Sequence, residues 1–234
     1  MLKAVIFDFG QTLVDSADGF RTAEKEAQAK LFQNLSLSLE ENFLENYRRI
    51  RKQLHDQSNF SRKSIWQEVY DYYCLVPDLN LLELWENEYW ETVKLHSKLF
   101  PETKKTLKAL NFRYEVAMIT NTQGQRRIGT HRISQFPELE KYFKVIIVAG
   151  EEGIPPKPDL RPFQLCLEEL NIEPFEAVYV GDDYRIDICG AQDAGLHPVW
   201  LKHYSVKRNW PEIKTTVPVI TRLDELLEPD RLIS

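Results

Sequence analysis

Four groups of residues in this chain have the types and spacing for chemistry. Asp8 follows the apolar run KAVIF at residues 3–7, and the turn residues Gly10, Gln11 and Thr12 come directly after it. Thr120 ends a second run, YEVAMIT, with Asn121 next. Lys157 stands between Pro156 and Pro158, so its backbone is stiffer than that of most lysines. Asp182, Asp183 and Asp187 follow the run AVYVG. Three acids within six positions repel one another unless a cation sits among them. Hard carboxylate oxygens of this kind suit Mg²⁺, which takes one or two carboxylates and fills its shell with water or substrate oxygens. Each group also has a plainer reading. Asp8 is a turn cap, Thr120 and Asn121 are turn formers, Lys157 is a solvated lysine, and one acid balances a helix dipole. Taken together and in order, they offer a nucleophile, a hydroxyl, a cation and a metal cage.

Positioning them requires strands that end side by side. Short apolar runs recur at 3–7, 114–120, 144–149, 177–181 and 198–201, with a weaker one at 217–221. Runs of this kind mark strands covered on both faces. Helical composition fills 101–110, 160–170 and 184–194. Alternation of this sort predicts an α/β fold with a Rossmann-like parallel sheet and helices on both faces. In such a sheet, ligands gather at the carboxyl ends of the strands, where the four groups fall.

Residues 18–98 break the rhythm. Phe20, Ala23, Ala27 and Leu31 are spaced as on a helix, as are Phe43, Tyr47, Ile50 and Leu54. Ile65, Val69 and Tyr72 make a third set, and Leu82, Trp85, Tyr89 and Val93 a fourth. The pattern predicts an inserted α-helical cap domain over 17–97, with the core formed by 1–16 and 98–234. Its aromatic residues read first as the interior of the helical bundle, with one or two facing a substrate as the alternative. The basic residues Arg48, Arg49, Arg51, Lys52, Arg62 and Lys63 read first as a solvated helix face. Their alternative is recognition of an anionic group. Arg126, Arg127, His131 and Arg132 predict a second basic surface helix.

Composition narrows the partners. A net charge of −6 and a pI near 5.5 give no basic field for nucleic acid or an anionic membrane. No stretch approaches the roughly 20 apolar residues of a membrane span. MLKAVIFDF lacks a signal peptide's charged start and cleavage site, and it reads as a first strand. The three separated cysteines form no CxxC pair, which predicts reduced thiols in a cytoplasmic protein. The five histidines lack zinc spacing. Trp200, Lys202 and His203, near the end of a late strand, read as structural residues, or as a border of the site. Monomer and homodimer are both compatible with the sequence.

FDFGQTLVDS, MITN, the Lys157-Pro158-Asp159 run and GDDYRID resemble, in order, the four motifs of the haloacid dehalogenase-like hydrolase superfamily. The helical insert resembles the cap of one of its subgroups. That resemblance implies a phosphatase acting on a small phosphorylated metabolite. Asp8 would form an aspartyl-phosphate, Thr120 and Lys157 would hold the phosphoryl group, and Gly10, Gln11 and Asn121 would border the substrate. It also implies Mg²⁺ held by Asp8, the Gly10 carbonyl and Asp182, with Asp187 acting through water or by orienting Lys157. Gly10 departs from the family pattern, because most family phosphatases carry an aspartate there as general acid–base. Help of that kind is worth ~100- to 10,000-fold. The departure leaves three readings: a phosphatase for substrates with good leaving groups, a degenerate member that only binds, and a 2-haloacid dehalogenase. The acidity of GDDYRID counts against the last, whose family chemistry uses no metal.

Overall fold

The computed structural model describes residues 1–37, 42–121, 132–150 and 152–232. The apolar runs form β1 (Ala4–Phe7), β4 (Glu115–Asn121), β5 (Val145–Ala149), β6 (Ala177–Gly181), β7 (His197–Leu201) and β8 (Val219–Ile220). All are parallel, in the order β5-β4-β1-β6-β7-β8. β2 (Val14–Asp15) and β3 (Lys98–Leu99) make a separate antiparallel pair that the sequence pattern does not announce. Two-residue strands are too short for any periodicity to register.

Alternation along the strands divides the core. Val5, Phe7, Val116, Met118, Val178 and Val180 face one side, with Leu107 and Leu110 of α5 (Thr103–Leu110). Ile6, Ala117, Ile119 and Tyr179 face the other, with Phe163, Cys166 and Leu170 of α7 (Leu160–Leu170). This is the two-faced burial that short continuous apolar strands require. A short α6 (Pro137–Glu140) precedes β5. The segment read as one helix over 184–194 differs: a π-helical turn at Tyr184–Ile188 leads into α8 (Cys189–Asp193).

The chain divides into two compact units. One holds the sheet and is built from Met1–Asp15, Lys98–Asn121 and the described residues from Arg132 onward. The other, within Ser16–Ser97, contains α1 (Ala17–Asn34), α2 (Phe43–Asp56), α3 (Arg62–Tyr72) and α4 (Leu79–Leu95). Its interior is Ala23, Ala27 and Leu31 against Tyr47 and Ile50, Ile65, Trp66 and Val69, and Leu82, Tyr89, Trp90 and Val93. A side chain at Gly19 would put its Cβ 2.6 Å from the Val93 carbonyl, so α1 and α4 meet backbone to backbone. Tyr72 is not part of this core. It is 46% exposed, because the buried stripe of α3 turns through Trp66 and Tyr70 instead. Arg126, Arg127 and His131 lie outside the described residues, as does the Arg132 side chain. The cysteines are free, and no described helix is long and apolar enough to cross a membrane.

The helical unit also holds a histidine in an unusual state. His55 lies 3.4 Å from the Arg62 guanidinium through Nε2. Burial, with Arg62 and Arg51 adding to it, pushes its pKa down to about 4. The ring is therefore neutral in the fold, whereas in the unfolded chain it gains a proton near pH ~6.5. Between these values the unfolded state binds more protons, so stability falls as pH drops through that window. Urea midpoints at pH 7 and pH 5 are expected to differ less in His55→Gln than in the native chain. An identical pH dependence in the two proteins would refute this assignment.

Candidate active site

Lys157 is the centre of the site. Only 1% of it is exposed, and its ammonium has four oxygen neighbours. Nζ donates to Asp8 Oδ1 at 2.9 Å, Asp187 Oδ1 at 2.7 Å, the Ile119 carbonyl at 2.9 Å and the Tyr179 hydroxyl at 2.8 Å. Three N–H groups thus serve four acceptors. Burial works against the charge, but Asp187 and Asp8 outweigh it and hold the amine protonated, above the ordinary lysine range.

Parallel strands bring these partners together. Asp8 follows β1, and its N–H donates to the Val180 carbonyl of the neighbouring β6 at 2.9 Å. Its Oδ2 accepts from the Thr12 hydroxyl at 3.3 Å. Thr12 lies in the turn after Gly10, where Gln11 takes φ 62 and donates its N–H to the Val14 carbonyl. That left-handed conformation is uncommon for a non-glycine residue and fixes the tight return of the chain. Thr120, 2% exposed, lies near the end of β4, two residues past the Met118 that pairs with Phe7. Its hydroxyl makes no hydrogen bond among the described residues. Asn121 has a specific structural task. Its Oδ1 accepts from the Lys157 N–H at 2.8 Å and its Nδ2 donates to the Lys157 carbonyl at 3.0 Å. The side chain clamps the Lys157 backbone from both ends, which its reading as a turn former does not anticipate.

The three acids after β6 separate by role. Asp183 caps the π-helical turn, its Oδ1 accepting from the Ile186 N–H at 3.0 Å. Asp187 orients Lys157 with Oδ1 and accepts the Asp183 N–H with Oδ2 at 3.0 Å. Asp182 is gripped by Arg208, whose Nη1 donates to Oδ2 at 2.6 Å and Nη2 to the main-chain carbonyl at 2.9 Å. The buried Trp200 indole donates to that carbonyl at 3.0 Å, so this tryptophan supports the site rather than merely filling the core. His203 pairs instead with Glu102 at 2.9 Å, beneath Phe100.

Oxygens of Asp8, Asp182 and Asp187 lie within 4.8 Å of one another. Burial, the largest effect, raises the Asp182 and Asp187 pKa values; Arg208 and Lys157 oppose it, and the remaining carboxylates raise them further. Three converging carboxylates against two cations form a hard-oxygen donor set, which fits Mg²⁺.

Over this fold and this arrangement, a sequence model of haloacid dehalogenase-like hydrolases matches residues 2–195. The chain belongs to that family. A glyceraldehyde 3-phosphate phosphatase of Pyrococcus furiosus is 28% identical over 97% of this chain and 92% of its own length. An N-acylneuraminate-9-phosphatase of Rattus norvegicus is 29% identical over 86% of this chain and 82% of its own. Among solved structures, a 2-haloacid dehalogenase from Pseudomonas syringae superposes with a TM-score of 0.66 at 26% identity, covering 97% of both chains.

Two residues in this hydrolase's site have no signature in the motifs. Tyr179 lies inside an apolar strand, and only the cost of burying a phenol without a partner hints at its contact with Lys157 and Asp187. Arg208 lies 26 residues beyond Asp182 in an irregular segment, and no local pattern links the two.

Glycine at 181 is what lets Asp187 close on the strand. A Cβ there would fall 2.3 Å from Asp187 Cβ and 2.6 Å from its Oδ2. Gly181→Ala is expected to displace Asp187 from Lys157 and cost about 3 kcal/mol or more in urea unfolding, the scale of breaking a buried ion pair. A loss under ~0.5 kcal/mol, the scale of an uninvolved surface change, would mean that Asp187 relocates freely.

Proposed function

We propose that this hydrolase is a Mg²⁺-dependent phosphatase acting on a small phosphorylated metabolite, with Asp8 as nucleophile. The carrying observation is the Asp8–Lys157–Asp187 contact, with Asp182 inside the same oxygen cluster. A carboxylate held against a fixed ammonium is ordered for in-line attack, and the same ammonium faces the charge of an incoming phosphoryl group. The phosphatase names of the two sequence relatives support the same reading.

An Asp8 oxygen bonds to phosphorus while the phosphorus–oxygen bond to the leaving group breaks, and the departing oxygen takes a proton from solvent. Water then attacks phosphorus, the bond to Asp8 breaks, and phosphate leaves. Lys157 and the Thr120 hydroxyl stabilise the equatorial oxygens, and Asn121 acts by fixing the Lys157 backbone. Gly10 and Gln11 border the phosphoryl group through the turn. Asp8, the Gly10 carbonyl and Asp182, with Asp187 beside them, would hold Mg²⁺, which would supply charge neutralisation between nucleophile and substrate. The acid cluster favours this reading over a metal-free dehalogenase, despite the fold shared with one. Retention of Asp8 with Lys157 and Asp182 favours it over a pure binding protein. A cytoplasmic location suits free thiols and a metabolite substrate.

An aryl phosphate assay tests it. Turnover is expected with Mg²⁺, to vanish with EDTA, and to fall by about 1,000-fold or more in Asp8→Asn. Undiminished turnover in either case would reject the mechanism, and no turnover on aryl, sugar or acyl phosphates would favour the binding reading.

Gly10 adds a second expectation. With no acid at this position, rates should depend steeply on the leaving group, with aryl far above alkyl phosphates. Gly10→Asp is expected to raise alkyl turnover relative to aryl, within the ~100- to 10,000-fold range of general acid help. An unchanged alkyl-to-aryl ratio would place proton delivery elsewhere.

A further inference from the structure

The basic residues of the helical unit do not all form a solvated face. Lys52 pairs with Asp56, Lys63 with Glu83, and Arg49 reaches Asn46 at the surface. Arg51 and Arg62 instead turn inward onto Glu24. Arg51 Nη1 donates to Glu24 Oε1 at 2.8 Å, and Arg62 Nε stands 3.8 Å from Oε2, which also accepts the Tyr89 hydroxyl at 3.1 Å. Arg62 is only 5% exposed.

These side chains line a cavity of about 370 Å³ within the helical unit, together with Phe20 and Lys25. Three features distinguish it from an ion cluster that is complete in itself. The first is charge. Arg21, Lys25, Arg51 and Arg62 face a single acid, Glu24, across the cavity. Arg21 is matched by Asp18 at 2.8 Å, which leaves three cations for one carboxylate. The second is an unmet donor. The Nε hydrogen of the buried Arg62 has no hydrogen-bond acceptor among the described residues, and a buried donor left unmet is destabilising. The third is Lys25, exposed at the cavity with no hydrogen bond or ion pair among the described residues.

Burial would raise the Glu24 pKa, but Arg62 and Arg51 outweigh it and keep the carboxyl ionised. An ionised carboxylate with lone pairs to spare accepts hydroxyl donors, and the Phe20 ring offers an apolar wall. We propose that this cavity is a binding site for a small polyhydroxy carboxylate, a sugar acid in chemical class. Its carboxylate would pair with Arg62, Arg51 and Lys25, and its hydroxyls would donate to Glu24. Guanidinium groups present paired N–H donors to a planar carboxylate, which gives geometric selection as well as charge. The volume lies at the small end of ligand pockets, as a compact ligand requires. The site lies wholly within the helical unit and stands apart from the phosphatase reading, since binding is measured without turnover.

Calorimetric titration of the full-length protein with gluconate tests the proposal, with sorbitol as the neutral counterpart. Gluconate is expected to bind, sorbitol at least tenfold more weakly. Arg51→Met and Lys25→Met should each weaken gluconate by about tenfold, the scale of one charge-assisted hydrogen bond. Neither residue is buried in the bundle interior, so both variants keep the test open if Arg62→Met fails to fold. Absence of gluconate binding, equal affinity for sorbitol, or unchanged affinity in both variants would overturn the proposal.

Discussion

A buried ammonium must find oxygen partners or be expelled, and Lys157 imposes that constraint on the sheet-bearing unit. Isolated in an apolar interior, its charge would be too costly to keep, and a pair is tolerated only with good geometry and further hydrogen bonds. Both conditions are met from separate stretches of chain. Asp8 arrives from β1, the Ile119 carbonyl from β4, Tyr179 from β6 and Asp187 from the turn beyond it. The order β4-β1-β6 at the middle of the sheet is what makes this possible. Asn121, at the end of β4, then holds the Lys157 backbone, so the cation is fixed at both its head and its root.

The same constraint explains the irregular structure nearby. Asp187 reaches Lys157 by lying against the end of β6, where only glycine leaves room. The chain enters the next helix through a π-helical turn capped by Asp183, and such bulges recur at functional sites. Asp182, left at the strand end, is steadied from the far side by Arg208 and Trp200. Each of the three neighbouring acids therefore has its own set of partners, although in sequence they look alike.

Legibility followed the range of the interaction. The principal strands were readable because burial on both faces leaves a local apolar run. The places of Asp8, Thr120 and Asp182 were readable because each stands at or just past the end of such a run, and that of Lys157 because its loop is stiffened by prolines. The alignment of Asp187 with Lys157 was one of two roles implied for it. By contrast, β2 and β3 are too short to leave a pattern, and the π-helical turn differs from a helix by a register that periodicity cannot resolve. Tyr72 was misplaced because its spacing matched the stripe, while the packing of Trp66 and Tyr70 rotated that stripe. Arg208 and the Asn121 clamp depend on contacts between distant segments. The inward turn of Arg51 and Arg62 could not be separated from a solvated face, because charged residues on amphipathic helices read alike until a buried acid such as Glu24 is located.

The two charge clusters have opposite imbalance. In the sheet-bearing unit, Asp8, Asp182 and Asp187 face Lys157 and Arg208, so three carboxylates meet two cations. At the cavity of the helical unit, Glu24 is the one lining carboxylate beside Lys25, Arg51 and Arg62, so three cations meet it. Neither surplus is explained by folding, since exchanging a buried ionic cluster for apolar residues is often neutral or stabilising. The proposed divalent cation would answer the residual negative charge among hard oxygens. The proposed anion would answer the positive charge beside the Arg62 guanidinium. On the two proposals together, ligands of opposite sign would complete the two clusters.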